Sequence, residues 1–374
     1  MKELLKLKPK SLKGRRVLLR LDLNVPIVGG RIIDRYRIER ALPTIHFLRN
    51  AGAKTILLSH LGRAGDSLKP VAQELNKSFD IGFIPAPIAK VPALLREMQE
   101  GGVVLLENLR RDVGEEKGST QFAKHLAALG DIYVNDAFAV SHRRHASVYQ
   151  LPKLLPHYAG PLLVKEVCEL SRVFKPKHPF VLVLGGAKFE TKVPVLQRFI
   201  HLADKIYVVG AIAHAFYRAL GLELGKSLID KKVSAKSYLK ALKSGEIIVP
   251  MDVLVSNGSS VEIKKAHELL KVDSIVDSGP MGLEEIRKGL KGARMILWNG
   301  PSGNYEAGYG EGTHSIARMI AKTKAHSIVG GGDTLAAIHK INTGHGFTFI
   351  STGGGAMLDF LASGGTLPGI EALK

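Results

Sequence analysis

Short apolar runs rich in β-branched residues recur along this chain, and their rhythm limits its fold more than any other feature. They fall at residues 17–21, 55–58, 103–106, 132–134, 181–184, 206–209, 247–249, 295–298, 327–329 and 348–350. Runs this short and apolar on both sides match strands covered on both faces of a parallel sheet. Between them lie helical patterns, clearest at 35–50, 120–129 and 334–341. Alternating strands and helices predict an α/β fold with helices on both sheet faces.

At 374 residues the chain is two to three times an ordinary domain, so two domains are expected. The junction falls at 151–179, where a proline-punctuated loop, an amphipathic run at 162–174 and the segment KPKHP precede the strand FVLVLG. The expected architecture is two doubly wound, Rossmann-like parallel-sheet domains joined by a helix and hinge. The expected boundaries are 1–158, a linker at 159–178, a second domain at 179–355 and a tail at 356–374. A hydrophobic share of 45% with 23% charged residues excludes a disordered or collagen-like chain. A single cysteine, Cys168, excludes an internal disulfide and a cysteine-built zinc site. No apolar run approaches the ~18–20 residues of a membrane span, and the lysine-rich start lacks a signal-peptide core. A cytoplasmic protein is expected.

Lys plus Arg number 53 against 34 Asp plus Glu, a net charge of +19 that favours acidic partners. In open α/β sheets ligands bind beyond the carboxyl ends of the strands, and the two halves differ there. In the first half Arg20, Asp22 and Asn24 share one face of an extended run that Pro26 ends. Asp34 and Arg37 follow, then His60 and Arg63, Glu107 and Arg110, Asn135 and Asp136, and finally His142, Arg143, Arg144 and His145. Any one of these arginines alone reads as a solvated surface charge, and any one histidine as a packing residue. Their joint placement after successive strands argues for an anion mouth, because a guanidinium fork holds phosphate or carboxylate at two points.

In the second half the strand ends are glycine-rich: Gly185-Gly186-Ala187-Lys188, Asn299-Gly300-Pro301, Gly330-Gly331-Gly332-Asp333-Thr334 and Gly353-Gly354-Gly355. Glycine lets backbone amides approach phosphate oxygens, and a helix starting there adds unpaired N–H groups. Strand-to-helix turns use glycine for purely structural reasons too. Lys188 and Lys192, four residues apart, are expected to share a helix face, and Asp333 is expected to cap the helix after it. The segment GLELGKS at 221–227 has one residue too few between its glycines for a phosphate loop of the Walker type. No GxGxxG turn opens a helix after a strand, which argues against a dinucleotide enzyme. The basic charge is spread along the chain and no nucleic-acid motif organises it.

These same segments resemble the phosphoglycerate kinase family. RLDLNVP, SHLGR, LLENLR, VNDAFAVSHRRHAS, LGGAKFETK, DSGP, WNGPSGNYE, GGGDT and STGGGAMLDFL occur in the family's order and span nearly the whole chain. The resemblance implies a first domain that binds 3-phosphoglycerate through Asp22, Asn24, Arg37, His60, Arg63, Arg110 and Arg143. It implies a second domain that binds ATP or ADP with Mg²⁺ through Gly185, Gly186, Lys188, Lys192, Glu306, Gly330, Gly331, Gly332, Asp333 and Thr334, with Asp333 toward the metal. The tail is implied to return to the first domain. Arg37 and Lys192 are the candidates to neutralise charge during transfer. Membrane and specific nucleic-acid partners are not expected, and a monomer is. Ala64, Arg111, Arg144, Thr191 and the Ser302–Asn304 stretch depart from the family's usual residues. The implied acceptor is a carboxylate, already ionised at neutral pH, so no general base is required. Catalysis then rests on positioning and charge neutralisation, with the two domains closing to exclude water.

Overall fold

Each expected apolar run becomes a strand, displaced by no more than a residue or two. The computed structural model describes residues 1–230 and 234–374 and divides into two units, Met1–Cys168 with Thr366–Lys374, and Glu169–Gly365.

In the first unit the strands are β1 (Arg16–Arg20), a small hairpin of β2 (Ile27–Val28) and β3 (Arg31–Ile32), β4 (Lys54–Leu58), β5 (Gly82–Ile84), β6 (Val103–Leu106), β7 (Ile132–Asn135) and β8 (His157–Ala159). Six of them form a sheet in the order β5-β6-β4-β1-β7-β8, every pair parallel. Val17, Leu18 and Leu19 of β1 are buried because helices cover both faces. Helix Tyr36–Asn50 contributes Ile38, Ala41, Ile45 and Leu48 to the core on one side. The chain crosses one way from β1 through β4 and β6 and the other way through β7 and β8. Ligands in such sheets sit where that order reverses, here at the carboxyl ends of β1 and β7. The run after β1 is shorter in the sheet than expected: pairing stops at Arg20, not at Pro26. Leu21, Leu23 and Val25 nevertheless stay buried while Asp22 and Asn24 are half-buried, so the alternation outlasts the ladder.

The second unit repeats the plan with β9 (Phe180–Leu184), β10 (Lys205–Val208), β11 (Ile247–Ile248), a separate antiparallel sheet of β12 (Asp252–Ser256), β13 (Val261–Lys265) and β14 (Ser274–Ser278), then β15 (Met295–Asn299), β16 (His326–Gly330) and β17 (Phe349–Ile350). The main sheet runs β11-β10-β9-β15-β16-β17, all parallel. Its order reverses between β9 and β15, so Gly185 and Asn299 begin the crevice. Strands β5 and β8 and the antiparallel sheet carry too little apolar pattern to be read in advance.

Helix Pro161–Ser171 and the turn Arg172–Phe174 occupy the expected connector. The division between units falls after Cys168 and after Gly365, away from the expected 158, 178 and 355. Helix Gly355–Ala362 packs on helix Phe189–Phe199 and stays with the second unit. Residues Thr366–Lys374 group with the first, where the Gly369 N–H donates to the Ser141 carbonyl at 2.8 Å. Among the described residues no helix is long and apolar enough to cross a membrane.

Candidate active site

The switch point of the first unit gathers cations around one histidine. His60, at the end of β4, is 4% exposed. Burial, then the charges of Arg20, Arg110, Arg143 and Arg37, push its pKa down to about 2. The ring is therefore neutral at any physiological pH. His145 is pushed down to about 4, by burial and then by Arg143, Arg20 and Arg110. Four arginines from four different segments thus converge, as their positions after successive strands implied.

Each arginine is held in its own way. Arg37, in the first turn of its helix, pairs with Asp22, whose other oxygen accepts the Asn24 N–H at 3.2 Å. Asn24 in turn accepts the Gly62 N–H at 2.9 Å. Arg110 lies 3.0 Å from Glu116 and donates to the Gly62 carbonyl. Arg143 donates to His142 at 3.3 Å. Burial lowers the pKa of Arg20, Arg37 and Arg110, a cost that an anion in their midst offsets.

Several neighbours behave differently from the sequence reading. Arg63 is exposed on the 62–66 loop, where its backbone N–H is held by Asp66 at 2.6 Å; it is not among the charges acting on His60. Arg144 is exposed, its guanidinium carbon 4.6 Å from the centre of the Tyr149 ring. Arg20 is fully buried and does not line the mouth. Asp136 is buried as well: one oxygen accepts the Leu162 and Leu163 N–H groups at 2.7 and 3.1 Å, the other the Thr44 hydroxyl at 2.6 Å. It caps the start of helix Pro161–Ser171, and burial raises its pKa to about 6.

In the second unit a cavity of about 760 Å³ opens at the switch point. Helices Phe189–Phe199, Ala211–Ala219, Gly332–Lys340 and Gly355–Ala362 all begin on its wall, and none has a side chain capping its first turn. The N–H groups of Ile212, Ala213 and Ala356 in these first turns already donate to loop carbonyls; the others, with the helix dipoles, make the wall suited to anions without any side chain. Gly300 and Gly331 hold φ of +99° and +107°, values reserved for glycine. A Cβ on Gly300 would also collide with the Gly185 carbonyl.

Lys192 lies 7% exposed under this surface and donates to the Asn299 side-chain oxygen. Burial pushes its pKa down to about 7 against the pull of Asp333. Lys188 stands just ahead of the helix, exposed, so the two lysines do not share a face. Gly185, Gly186, Glu306, Gly331, Gly332, Asp333 and Thr334 all line the cavity, as expected. Gly330 does not: it is buried in β16 against the Met357 sulfur. Nor does Asp333 cap its helix. The cap position is Gly331, which leaves the Asp333 carboxylate exposed in the first turn, while the Thr334 hydroxyl accepts the Gly300 N–H at 3.0 Å. Sequence reasoning passed over Gly210, which also lines the cavity, and gave no role to Asp277 and Asn299, which stand in quoted segments and line it too. In the departing stretch, Ser302 donates its hydroxyl to Ser278 at 2.8 Å and its N–H to Thr313 at 2.9 Å. Asn304 caps the turn Tyr305–Ala307.

Magnesium asks for one or two carboxylates completed by substrate phosphates and water. An exposed carboxylate, Asp333, in the first turn of an uncapped helix meets that demand. No group of three or more His, Cys, Asp or Glu among the described residues offers an all-protein cage, so the metal fits here only together with a nucleotide.

Uncapped helix starts around a cavity in one unit, joined in one chain to a unit that concentrates guanidinium groups, are what a kinase acting on an anionic metabolite requires. The sequence profile of the family described as Phosphoglycerate kinase matches residues 7–364. The curated phosphoglycerate kinase of Methylorubrum extorquens (strain PA1) is 40% identical, over 97% of this chain and 96% of its own length. That of Dictyoglomus turgidum is also 40% identical, over 100% and 99%. The solved phosphoglycerate kinase of Coxiella burnetii superposes with a TM-score of 0.86 at 37% identity, covering 99% of this chain and 97% of that one. The Pyrococcus horikoshii enzyme gives 0.86 at 32%, covering 100% and 98%. The chain belongs to the phosphoglycerate kinase family.

Proposed function

We propose that this chain transfers the γ-phosphoryl group of ATP reversibly to the carboxylate of 3-phosphoglycerate, giving 1,3-bisphosphoglycerate and ADP. The observation that carries the reading is the pairing of two unlike anion sites in one chain, an arginine cluster around a neutral histidine and a cavity walled by uncapped helix starts. The first unit takes 3-phosphoglycerate through Arg37, Arg110, Arg143 and His60, with Asp22 and Asn24 fixing Arg37 and the 62–66 loop. Arg63 joins them only if its exposed loop turns inward on binding. The second unit takes the nucleotide, its phosphates beside the Gly185–Gly186 turn and on the amides of 332–334 and its ribose near Glu306; the Gly185 and Gly186 N–H groups themselves already donate to the Asn299 and Pro301 carbonyls at 2.9 and 2.8 Å. Asp333 would hold Mg²⁺, which, when bound with the nucleotide, neutralises phosphate charge.

In the reaction a carboxylate oxygen of the acceptor attacks the γ-phosphorus as the bond to the β–γ bridging oxygen breaks. No proton need move. The chain's task is to hold the reactants in line, with oxygen within about 3–3.5 Å of phosphorus, and to match the charge that shifts during transfer. Lys192 and Arg37 are the side chains proposed to follow that charge. The reacting state is one in which both loaded units have come together, which also keeps water from the acyl phosphate. Each chain carries both ligand sets, which supports action as a monomer; a cytoplasmic place of action belongs to the same reading. The test is a coupled assay: ADP formation from ATP must require both 3-phosphoglycerate and Mg²⁺. Folded protein with no such turnover at low and moderate salt sinks the proposal.

A further inference from the structure

Behind the anion site lies a buried polar chain that the reaction as described leaves unused. Glu115 and Arg20 are both fully buried, 4.0 Å apart at their nearest charged atoms. Ser147 joins them. Its hydroxyl donates to Glu115 Oε1 at 2.5 Å and its N–H donates to Oε2 at 2.9 Å. The same hydroxyl accepts Arg20 Nε–H at 2.9 Å. The Ser147 carbonyl accepts the Tyr133 hydroxyl at 2.7 Å, which ties this turn to β7. Arg20 then gives Nη1 to the Leu21 carbonyl and turns Nη2 to His60 Nδ1, 3.4 Å away. Every branch of the guanidinium is engaged and none reaches solvent, so Arg20 has no surface left for a ligand.

A guanidinium can only donate. His60 Nδ1 facing Arg20 Nη2 must therefore be the acceptor, and a neutral ring then carries its proton on Nε2. We propose that Glu115 and Ser147 are positioning residues, which hold Arg20 so that it fixes His60 as an Nε2–H donor to the anionic substrate. Arg20 belongs to the same relay: it acts through His60. The burial and surrounding cations that keep His60 neutral support this, because a charged imidazole would leave no acceptor for Arg20. The substitution-sensitive centre of the relay is Ser147, the one residue bonded to both buried charges.

The role of His60 toward substrate rests on the 3-phosphoglycerate reading, whereas the tautomer does not. The test is nitrogen NMR of the imidazole rings, with His60→Ala to assign the signal, alongside titration calorimetry. In the unsubstituted protein His60 should show the neutral Nε2–H pattern between about pH 5 and 8. Ser147→Ala should give a mixture of tautomers and weaken 3-phosphoglycerate binding roughly tenfold, the scale of one hydrogen bond to a charged group. MgATP affinity should stay within about twofold, and Ser147→Thr, which restores the hydroxyl, should recover the tautomer. A Nδ1–H signal from the unsubstituted protein overturns the proposal. So does an unchanged tautomer in folded Ser147→Ala. Should that variant not fold, Glu115→Gln and the unsubstituted spectrum decide by the same criteria. An Nε2–H ring in a protein that binds no 3-phosphoglycerate supports the relay and overturns the substrate reading instead.

Discussion

Nucleotide binding at pH 8 should draw close to one proton from solution, and Lys192→Met should abolish that uptake. Lys192 is buried beneath the cavity wall with its pKa pushed down to about 7, so at pH 8 only about a tenth of the free protein carries its charge. A triphosphate brought within contact raises an ammonium pKa by roughly 1–3 units. An upward shift of about two units restores the charge in about nine molecules of ten. The uptake is then roughly 0.8 proton per site at pH 8 and falls toward zero near pH 6, where the lysine is already charged. Affinity for the nucleotide should weaken as pH rises above 7, because binding must recruit that proton. The unfolded chain keeps the same proton to about pH 10.4, so it binds more protons than the native state from about pH 7 upward. Native stability should accordingly rise with pH across that window, and Lys192→Met should flatten the rise. Calorimetric titration of nucleotide in buffers of different ionisation enthalpy measures the uptake directly. A value near zero at pH 8, or one unchanged in Lys192→Met, would refute the reasoning.

Arg143→Ala should weaken 3-phosphoglycerate binding by about 1.5–3 kcal/mol, the scale of a charged hydrogen bond, whereas Arg144→Ala, whose side-chain contacts are with Tyr149, should cost under about 1 kcal/mol; calorimetry giving the reverse order would move the contact to Arg144. Asp136→Asn keeps its oxygen for Leu162 and Leu163 and turns an N–H toward Thr44, while removing a buried charge whose pKa is raised to about 6. The carboxylate destabilises the fold as pH rises from its unfolded value near 4 through 6, so this variant should gain about 1–2 kcal/mol at pH 7 and lose that pH slope in denaturant melts. Gly300→Ala, at φ +99° and against the Gly185 carbonyl, should cost at least about 3 kcal/mol in the same melts.

Strand identity was legible because a strand covered on both faces has to be apolar at every position. The runs at 181–184 and 295–298 needed no context to be read. Strand β8 (His157–Ala159) hid in the proline-punctuated loop because its half-buried His157 and Tyr158 break that pattern. The arginine mouth was legible as a set, since switch-point topology puts the ends of β1, β4, β6 and β7 close together whatever their sequence. Which member faces the ligand was not. Arg20 and Arg37 look alike in sequence, but Arg20 lies on the paired strand and is drawn inward by Glu115 and Ser147. Those two residues carried no signal, because a Glu after a glycine and a Ser after an alanine resemble any surface turn. The helix start before Asp333 was misplaced by two positions for a related reason: Gly331, Gly332 and Asp333 all suit a helix start, and only the backbone puts the cap at Gly331.

The two units place their crevices at the same topological point and yet hold anions by opposite means, and the difference sets how each must be built. Side-chain cations packed together repel when no ligand is present, and three of the four are held by a carboxylate nearby, Arg143 by His142. Arg37 has Asp22, Arg110 has Glu116 and Arg20 has Glu115. Part of any ligand's binding energy is therefore spent releasing Arg37 and Arg110 from these partners, which favours a ligand bearing two separate negative groups over a single ion, while the buried Arg20 stays with Glu115. The cavity of the second unit instead sets Lys192 against the pull of Asp333 beneath a wall of helix starts. Its amides are fixed by helix starts, and its buried cation among the described residues, Lys192, is held by the neutral side chain of Asn299 and pushed toward the uncharged form. Substitutions that alter charge should thus be felt most in the first unit. Those that add a Cβ should be felt most in the second, where the binding groups are backbone and any side chain stands in their way.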